Sequence, residues 1–543
     1  MNTLVVLYAG CLSEEAFVPL VDGKNSVILT LEQTGKLNAG KTVICADETS
    51  RLTVKLEETI SLDGHFKDII LEKKQSWTVK SLLETIAVHQ EGCEITCFTW
   101  LDCPFLDPEL ACRLAERHLK YRAEYSYADG WPYGVAPEFL SPGTAAILAK
   151  IIGDDSKAVQ RDALFWAIQK DINAFDIETE ISKKDFRMHR LNLCADSKRN
   201  LLLLKRFIDE SRSSPDGDLS VPAASAIEEI ITEKPEILRT LPNFFPVQVF
   251  SGCPQACRIC PYPAAAGDVT RNDFMDVQKF GILLDKIIAF SGDAVIDLSL
   301  WGELSLHPHK MKLIQLVLER PSLALIIETC GIGWKDNELE QAANFARSAA
   351  VNAARVNPLP PLSWIISLDS LDAQRYSEIR GAGFGEALGC TKKLLSLFPH
   401  DAYVQAVRTS GAEDDIEKFY RSWKETLDAR NIIIQKYDDF CGFLPHLQAS
   451  DISPVNRQSC WHLMRDMPVL IDGTVPLCRE NIQILSKVMK SETLSGNELV
   501  LGNIFTDEIE NIWERSNELY KQQCNKKYDG ICAECDEYYT FNF

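Results

Sequence analysis

Three cysteines, Cys253, Cys257 and Cys260, fall within eight residues of the stretch Ser251-Gly-Cys-Pro-Gln-Ala-Cys-Arg-Ile-Cys-Pro-Tyr-Pro263. Thiolates this close can grip one face of a metal centre. Three is one too few for a 4Fe–4S cube, whose irons each want a ligand, so one iron stays open to something other than protein. Zinc sites pair Cys-x2-Cys with a second pair elsewhere, so zinc on this Cys-x3-Cys-x2-Cys spacing needs a distant fourth ligand. Val247-Gln-Val-Phe250 reads as a short strand, and Pro254, Pro261 and Pro263 keep the cysteine stretch after it a loop. Flanking Pro and Gly speak against an inert core trio.

A second thiol pattern begins at Ser459-Cys-Trp-His462. Twelve residues separate Cys460 from Gly473, and four separate Gly473 from Cys478. Val469–Val475 between them reads as a hairpin with an Asp-Gly turn, which would bring Cys460 and Cys478 together. Further along are Cys524 and Cys532-Ala-Glu-Cys535. Four of these five thiols can complete a closed 4Fe–4S site or a structural zinc site. Cys11, Cys45, Cys93, Cys97, Cys103, Cys112 and Cys194 show no ligand spacing and read as packing residues.

The chain has 543 residues, too many for one ordinary core, so two to four domains are expected. It is 46% hydrophobic and 25% charged, as soluble globular proteins are. No apolar run reaches membrane-span length. The apolar N-terminus lacks a basic region before it and reads as a first strand rather than a signal peptide. A net charge of −21 argues against nucleic acid and anionic lipid as partners. Eighteen cysteines without an export signal suggest reduced thiols, metal ligation and the cytoplasm.

Three groups of elements must position these residues. In residues 1–210, strands at Leu4–Tyr8, Thr42–Cys45 and Cys93–Trp100 alternate with helical patterns at Val79–His89 and Pro108–Leu119, an α/β layered domain. Asp102, at the end of the last strand, could hold a divalent cation carrying phosphates, or simply start a turn before a helix. Residues 211–240 read as a linker, Ser211–Ser220, and a lead-in helix, Ala223–Leu238. Residues 241–440 hold six expected strands: Val247–Phe250, Ala294–Leu300, Leu323–Glu328, Trp364–Leu368, Tyr403–Arg408 and Ile432–Lys436. Helices are expected at Phe274–Phe290, His309–Leu318, Asn337–Ala354, Ala373–Leu397 and Ile416–Leu427. Such βα units argue a parallel sheet curled by right-handed crossovers. Residues 441–543 carry the second thiol set.

The cysteine triplet resembles the signature of radical S-adenosylmethionine (radical SAM) enzymes, and the strands and helices after it match their partial (β/α)6 barrel. The resemblance implies an open iron chelated by SAM, reductive cleavage of SAM, and hydrogen abstraction from a substrate. Leu300-Trp-Gly-Glu303 is similar to the family's Gly-Gly-Glu-Pro stretch, with Trp301 and Leu304 departing, so Gly302 and Glu303 would meet the SAM amino group. Thr329 in Glu328-Thr-Cys-Gly331 would touch the ribose or shape the substrate pocket. Ser367, Asp369 and Arg380 are similar to the family's Ser-x-Asp and Arg-Gly pair, so Ser367 and Arg380 would bind the SAM carboxylate and ribose region and Asp369 would shape that edge. Ile259 stands where an aromatic residue is usual, and its backbone would meet the adenine. Arg408 is a further polar residue at a strand end.

The tail resembles the SPASM/Twitch extension of radical SAM enzymes, a small iron–sulfur domain. It ends without the further cysteines of a full SPASM domain. This implies one auxiliary cluster on Cys460, Cys478, Cys532 and Cys535, with Cys524 the surplus thiol and structural zinc the rival. Sulfatase-maturing relatives carry a catalytic Asp after the second cysteine, where this chain has Arg479-Glu480. Residues 1–210 resemble GT-A-like nucleotidyltransferases of the cytidylyltransferase type, through Phe17-Val-Pro-Leu-Val-Asp-Gly-Lys24 and Trp131-Pro-Tyr-Gly-Val-Ala-Pro-Glu138 among others. Their phosphate loop is replaced here by the acidic Ala9-Gly-Cys-Leu-Ser-Glu-Glu15, which implies a degenerate domain used for docking or substrate presentation. The whole layout is similar to the spiro-SPASM group. By analogy the substrate is a peptide or protein side chain and the electron donor a flavodoxin or ferredoxin. Radical tailoring of a sugar or nucleotide, or a non-enzymatic metal-stabilised interaction protein, are the alternatives. No catalytic residue is singled out.

Overall fold

Short apolar runs followed by amphipathic helices become parallel strands, because a parallel neighbour requires a crossover. The computed structural model describes residues 2–540 apart from 38, 64–68, 156, 214–220, 267–271, 353, 491 and 493–498. The chain divides into two units, Met1–Thr240 and Leu241–Phe543. Among the described residues no helix is long and apolar enough to cross a membrane.

The first unit is built on a seven-stranded sheet in the order Ile69–Lys74, Ala39–Asp47, Thr3–Tyr8, Ile95–Trp100, Glu138–Leu140, Tyr125–Asp129, Ile177–Ile181. Only Glu138–Leu140 runs antiparallel to its neighbours. Val79–His89 forms as expected, with Thr78 capping it through Ser81 N. Pro108–Tyr121 begins behind the Asp107 cap, with proline in its first turn. The expected lead-in helix splits at Pro235, which has no N–H to continue the ladder, into Ala224–Glu233 and a short 3-10 turn, Pro235–Leu238. It packs on the first unit. Ala224 N donates to Asp107 Oδ2 at 2.6 Å, and Ser182 Oγ donates to Glu228 Oε1 at 2.9 Å. Of the expected linker, Ser211 and Arg212 finish the helix Lys198–Arg212, and 214–220 lie outside the described residues.

The second unit holds a six-stranded sheet whose strands pair in chain order and all in parallel: Phe244–Pro246, Ala294–Asp297, Leu323–Thr329, Leu362–Ser367, Ala402–Arg408, Ile432–Lys436. Both faces are apolar, as burial on two sides demands. Ile296, Leu325, Ile327, Trp364 and Ile366 join the large core. The alternate residues Phe244, Val295, Ala324, Ile326 and Ile365 form a smaller cluster. Two residues further along, that second set continues into Asp297, Glu328 and Ser367 at the strand ends.

The first strand lies before Pro246, not at the expected Val247–Phe250. It is an edge strand, where proline's missing N–H is tolerated. The expected helix Ala373–Leu397 is two, Ala373–Arg380 and Phe384–Leu397. Gly381 and Gly383 break it with φ of 96° and 105°, which L side chains rarely adopt. The expected hairpin at Val469–Val475 is a turn, with Gly473 N bonded to Leu470 O at 2.9 Å. Its strand Thr474–Pro476 pairs with Val500–Asn503, while Val469 bridges Val247 and extends the barrel's edge. Leu463, Met467, Val475 and Trp513 share one core with the barrel strands, so tail and barrel are packed together.

Trp364 is fully buried, with its ring 5.1 Å from Trp334 and 6.1 Å from Phe398. Trp364→Ala is expected to lower the second unit's unfolding free energy by about 3–5 kcal/mol. Urea unfolding followed by circular dichroism reads this, and a loss below about 1 kcal/mol would contradict the packing.

Candidate functional site

The cysteine loop is tied to the ends of several barrel strands. Glu303 N donates to Gly252 O at 2.8 Å, and Arg258 N donates to Ile379 O at 2.9 Å. Gly302 is required by this docking: a Cβ there would stand 1.9 Å from Phe250 O. Its place is set by backbone packing against the loop, a reason that spacing alone does not reveal. Trp301 adopts φ of 48°, the left-handed region that glycine fills more easily. Its carbonyl accepts from Gln248 Nε2 at 2.9 Å.

Glu303 is buried, and its carboxylate accepts from Thr329 Oγ1 at 2.7 Å, Cys330 N at 2.9 Å and Ser305 N at 3.3 Å. Burial still pushes its pKa up. The Thr329 hydroxyl also accepts from Gly331 N and Trp334 Nε1, both at 3.0 Å, so it is engaged in orienting Glu303. Asp369, at φ of 60°, accepts from Val407 N at 2.7 Å and pairs with Arg380 Nε. Burial alone would lower the Arg380 pKa, but Asp369 outweighs it. Arg380 Nη1 then donates to Cys257 Sγ at 3.8 Å. The Cys330 and Cys253 thiols are hydrogen-bond partners, a contact that lowers the Cys253 pKa. Burial pushes the Cys260 thiol up to about 12.

A cavity of about 250 Å³ opens beneath Cys253, Cys257 and Cys260. Ile259, Gly302, Glu303, Thr329, Ser367 and Arg380 all line it, while Asp369 lies behind Arg380. Arg408 is exposed, and Val407 faces the cavity instead. The deeper wall is polar. Ser367 Oγ donates to Glu328 Oε1 at 2.6 Å, and Gln405 Nε2 donates to the same oxygen at 2.7 Å. Burial pushes Asp297 up to about 7, with Glu328 adding to the effect.

Pro246, His462, Asp466 and Arg479 line this cavity and also a second, smaller one of about 30 Å³. Cys460, Cys478, Cys532 and Cys535 line the small cavity together with Cys441. Cys524 is not in that lining and packs against the large core. Cys441 is the thiol that sequence reasoning misses. It comes after the last barrel strand in a left-handed pair, Phe440 at 53° and Cys441 at 55°, and donates its S–H to Cys535. Its position in Phe440-Cys-Gly442, a turn leaving the last barrel strand, is the available signal. Arg479 donates to Glu480 at 3.0 Å. Among the described residues, no three of these sulfurs, nor those of the first loop, lie within 4.8 Å of one another. One zinc ion with bonds of about 2.3 Å would need sulfurs about 3.8 Å apart.

In the first unit, Asp102 is not free to take a cation. Both its oxygens accept from Arg161, at 2.8 and 2.5 Å, and Arg161 also reaches Asp196 at 3.1 Å. Cys103 and Cys194, expected as packing residues, are buried with sulfurs 3.4 Å apart.

Residues 460–536 match the SPASM family, described as an iron–sulfur cluster-binding domain. An uncharacterized protein of Treponema pallidum (strain Nichols) is 31% identical over 387 residues, covering 70% of this chain and 98% of that protein. Two solved structures have lower likeness. A cytidylyltransferase from Leptospira borgpetersenii serovar Hardjo-bovis is 15% identical, with a TM-score of 0.36, over 44% of this chain and 95% of its own. SuiB of Streptococcus suis, bound to precursor peptide SuiA, is 12% identical, with a TM-score of 0.39, over 60% of this chain and 78% of its own. The chain thus has three thiols at the mouth of an all-parallel six-stranded sheet and, behind them, a stretch that matches the SPASM iron–sulfur cluster-binding domain. It belongs to one family with the Treponema pallidum protein.

Asp297 gives a pH test of the cavity. Its folded pKa near 7 lies above the unfolded value of about 3.9. The stability it contributes is therefore present at low pH and lost as pH rises through about 7. Asp297→Asn is expected to flatten the fall in urea stability between about pH 5 and 8. An unchanged fall would rule out this wall as its source.

Proposed function

We propose that the second unit reductively cleaves SAM at a cluster on Cys253, Cys257 and Cys260 and takes hydrogen from a peptide or protein side chain. The observation that carries this reading is one polar cavity that opens at three thiols and shares a wall with a second thiol pocket. The donor set suits the cofactors. Cys330 and Arg380 both bear on loop sulfurs: the contact with Cys330 lowers the Cys253 pKa, while burial outweighs Arg380 and raises that of Cys257. When bound, the cluster and SAM supply one-electron cleavage and a carbon radical.

The chain's own residues bind and orient. Glu303 has accepted three protein donors and retains room for an ammonium group. Arg380, fixed by Asp369, offers its remaining guanidinium nitrogen to a carboxylate. Ser367 and Ile259 line the cavity, and Thr329 holds Glu303 in place. Cys460, Cys478, Cys532 and Cys535 would hold the auxiliary cluster. A peptide substrate and a flavodoxin or ferredoxin donor rest on the resemblance to SPASM enzymes, and the oxygen sensitivity of such clusters suits the cytoplasm. The engagement of Asp102 by Arg161 favours a docking role for the first unit over nucleotide transfer.

Anaerobically reconstituted protein given dithionite and SAM is expected to form 5′-deoxyadenosine. Replacing Cys253, Cys257 and Cys260 with alanine should abolish this and remove about four irons per chain. Undiminished SAM cleavage in that variant would refute the proposal. For the second site, Cys478→Ala should lower iron from about eight to about four per chain, while Cys524→Ser should leave about eight. Four irons plus one zinc in the unaltered protein would overturn the auxiliary cluster.

A further inference from the structure

The first unit contains a cavity of about 410 Å³ that the radical chemistry does not use. Its walls are aromatic. Tyr125 and Tyr127 stack at 5.6 Å, and Phe165 lies 5.9 Å from Tyr127. Trp100, Trp131 and Tyr133 complete the lining. Such rings present electron-rich faces to a ligand.

Two polar features make this more than an apolar hollow. Glu138 lines the cavity, and its carboxylate accepts from the Tyr125 hydroxyl. Among the described residues no lysine, arginine or histidine pairs with it. Burial pushes its pKa up to about 7, with Asp162 adding to the effect. The Trp131 Nε1–H is buried and has no acceptor among the described residues. A carboxylate without a cation and an indole donor without an acceptor call for a ligand that supplies both.

The cationic wall group cannot serve as Glu138's partner. Arg161 already sits over Trp100 at 5.0 Å and Tyr133 at 6.0 Å, and its charge is met by Asp102 and Asp196. An anionic ligand, such as a nucleotide phosphate or a sugar acid, would find Glu138 and Asp162 facing it and Arg161 engaged elsewhere.

We propose that this cavity binds an organic cation, the ammonium or guanidinium end of a basic side chain of a peptide. The rings would hold the cation on their faces, Glu138 would pair with it, and Trp131 would donate to a carbonyl of the same ligand. The inference concerns the first unit and stands apart from SAM cleavage.

Isothermal titration calorimetry of the full chain tests it, with N-acetyl-arginine amide and N-acetyl-lysine amide as probes. N-acetyl-citrulline amide is the neutral control, and CMP and N-acetylneuraminic acid represent the anionic rivals. Saturable binding of at least one cationic probe, with no binding of citrulline, is expected. Glu138→Gln, which keeps an acceptor for Tyr125, should weaken binding about tenfold or more. If that variant melts below the parent, competition by tetramethylammonium in the unaltered chain takes its place, and displacement of the probe is expected. Failure of both cations to bind, equal binding of citrulline, an unaffected folded Glu138→Gln variant, absence of displacement, or binding of the anions instead would each overturn the proposal.

Discussion

A buried ion pair holds the reactive end of the barrel together. Arg380 and Asp369 are both buried, and each is engaged twice: Arg380 with Asp369 and Cys257, Asp369 with Arg380 and Val407 N. Isolated, either charge would be costly in this interior, and removing one partner of such a pair typically costs about 3–5 kcal/mol. The pair therefore fixes where the helix Ala373–Arg380 ends relative to the fourth strand. The same helix end meets the cysteine loop through Ile379 O, and Gln255 Nε2 bonds Tyr376 at 2.7 Å. A three-cysteine loop broken by prolines has no regular ladder of its own. It takes its shape from these anchors, from Glu303 N, and from the close approach that Gly302 permits.

The sequence is informative where chemistry fixes residue type at short range. Cys253, Cys257 and Cys260 are legible from spacing, and so is their place on a loop. Gly302 and Glu303 are legible as a pair, but not their reasons. Thr329 reads as a residue that touches the ribose or shapes the substrate pocket; its place in the cavity lining is legible, but its hydroxyl's partners, Glu303, Gly331 and Trp334, are brought together only by the curl of the sheet. Cys441 escapes notice because it stands outside both recognisable spacings, Cys-x12-Gly-x4-Cys and Cys-x2-Cys, and arrives by way of the last barrel strand. The edge strand is displaced by three residues from its expected start because Pro246 reads locally as a breaker, and the exemption that edge position grants is a tertiary fact. The single long helix expected over Ala373–Leu397 fails for a local reason that is available: two glycines one residue apart, both at positive φ.

In the first unit a guanidinium stands between two aspartates, Asp102 and Asp196, at the end of a central strand. A metal-dependent nucleotide site places a divalent cation between such carboxylates. An arginine occupies that place here and, paired with both carboxylates, leaves one net negative charge instead of two. Its fork also satisfies Asp102 in a geometry no single ion imitates. Together with the acidic loop Ala9–Glu15, this removes both halves of phosphate recognition, the metal and the positive cradle. The aromatic cavity beside it remains accessible, and its only uncompensated group among the described charges is a carboxylate.

The second unit joins two thiol sites through shared side chains rather than through a shared thiol. His462, Asp466 and Arg479 belong to the linings of both cavities. Each is fixed: His462 Nδ1 meets Asp466 at 2.6 Å, Arg465 with His462 holds Asp466 down to about 2 against the effect of burial, and Arg479 is paired with Glu480. These hydrogen-bonded side chains form a wall common to the two cavities. That arrangement requires tail and barrel to keep one geometry. The common core of Leu463, Met467, Val475 and Trp513 with the barrel strands supplies it, because two separately cored domains would shift against each other. Hence the tail's fixed position depends less on its cysteines than on the apolar residues between them, which weld it to the sheet's otherwise open edge at Val247 and Val469.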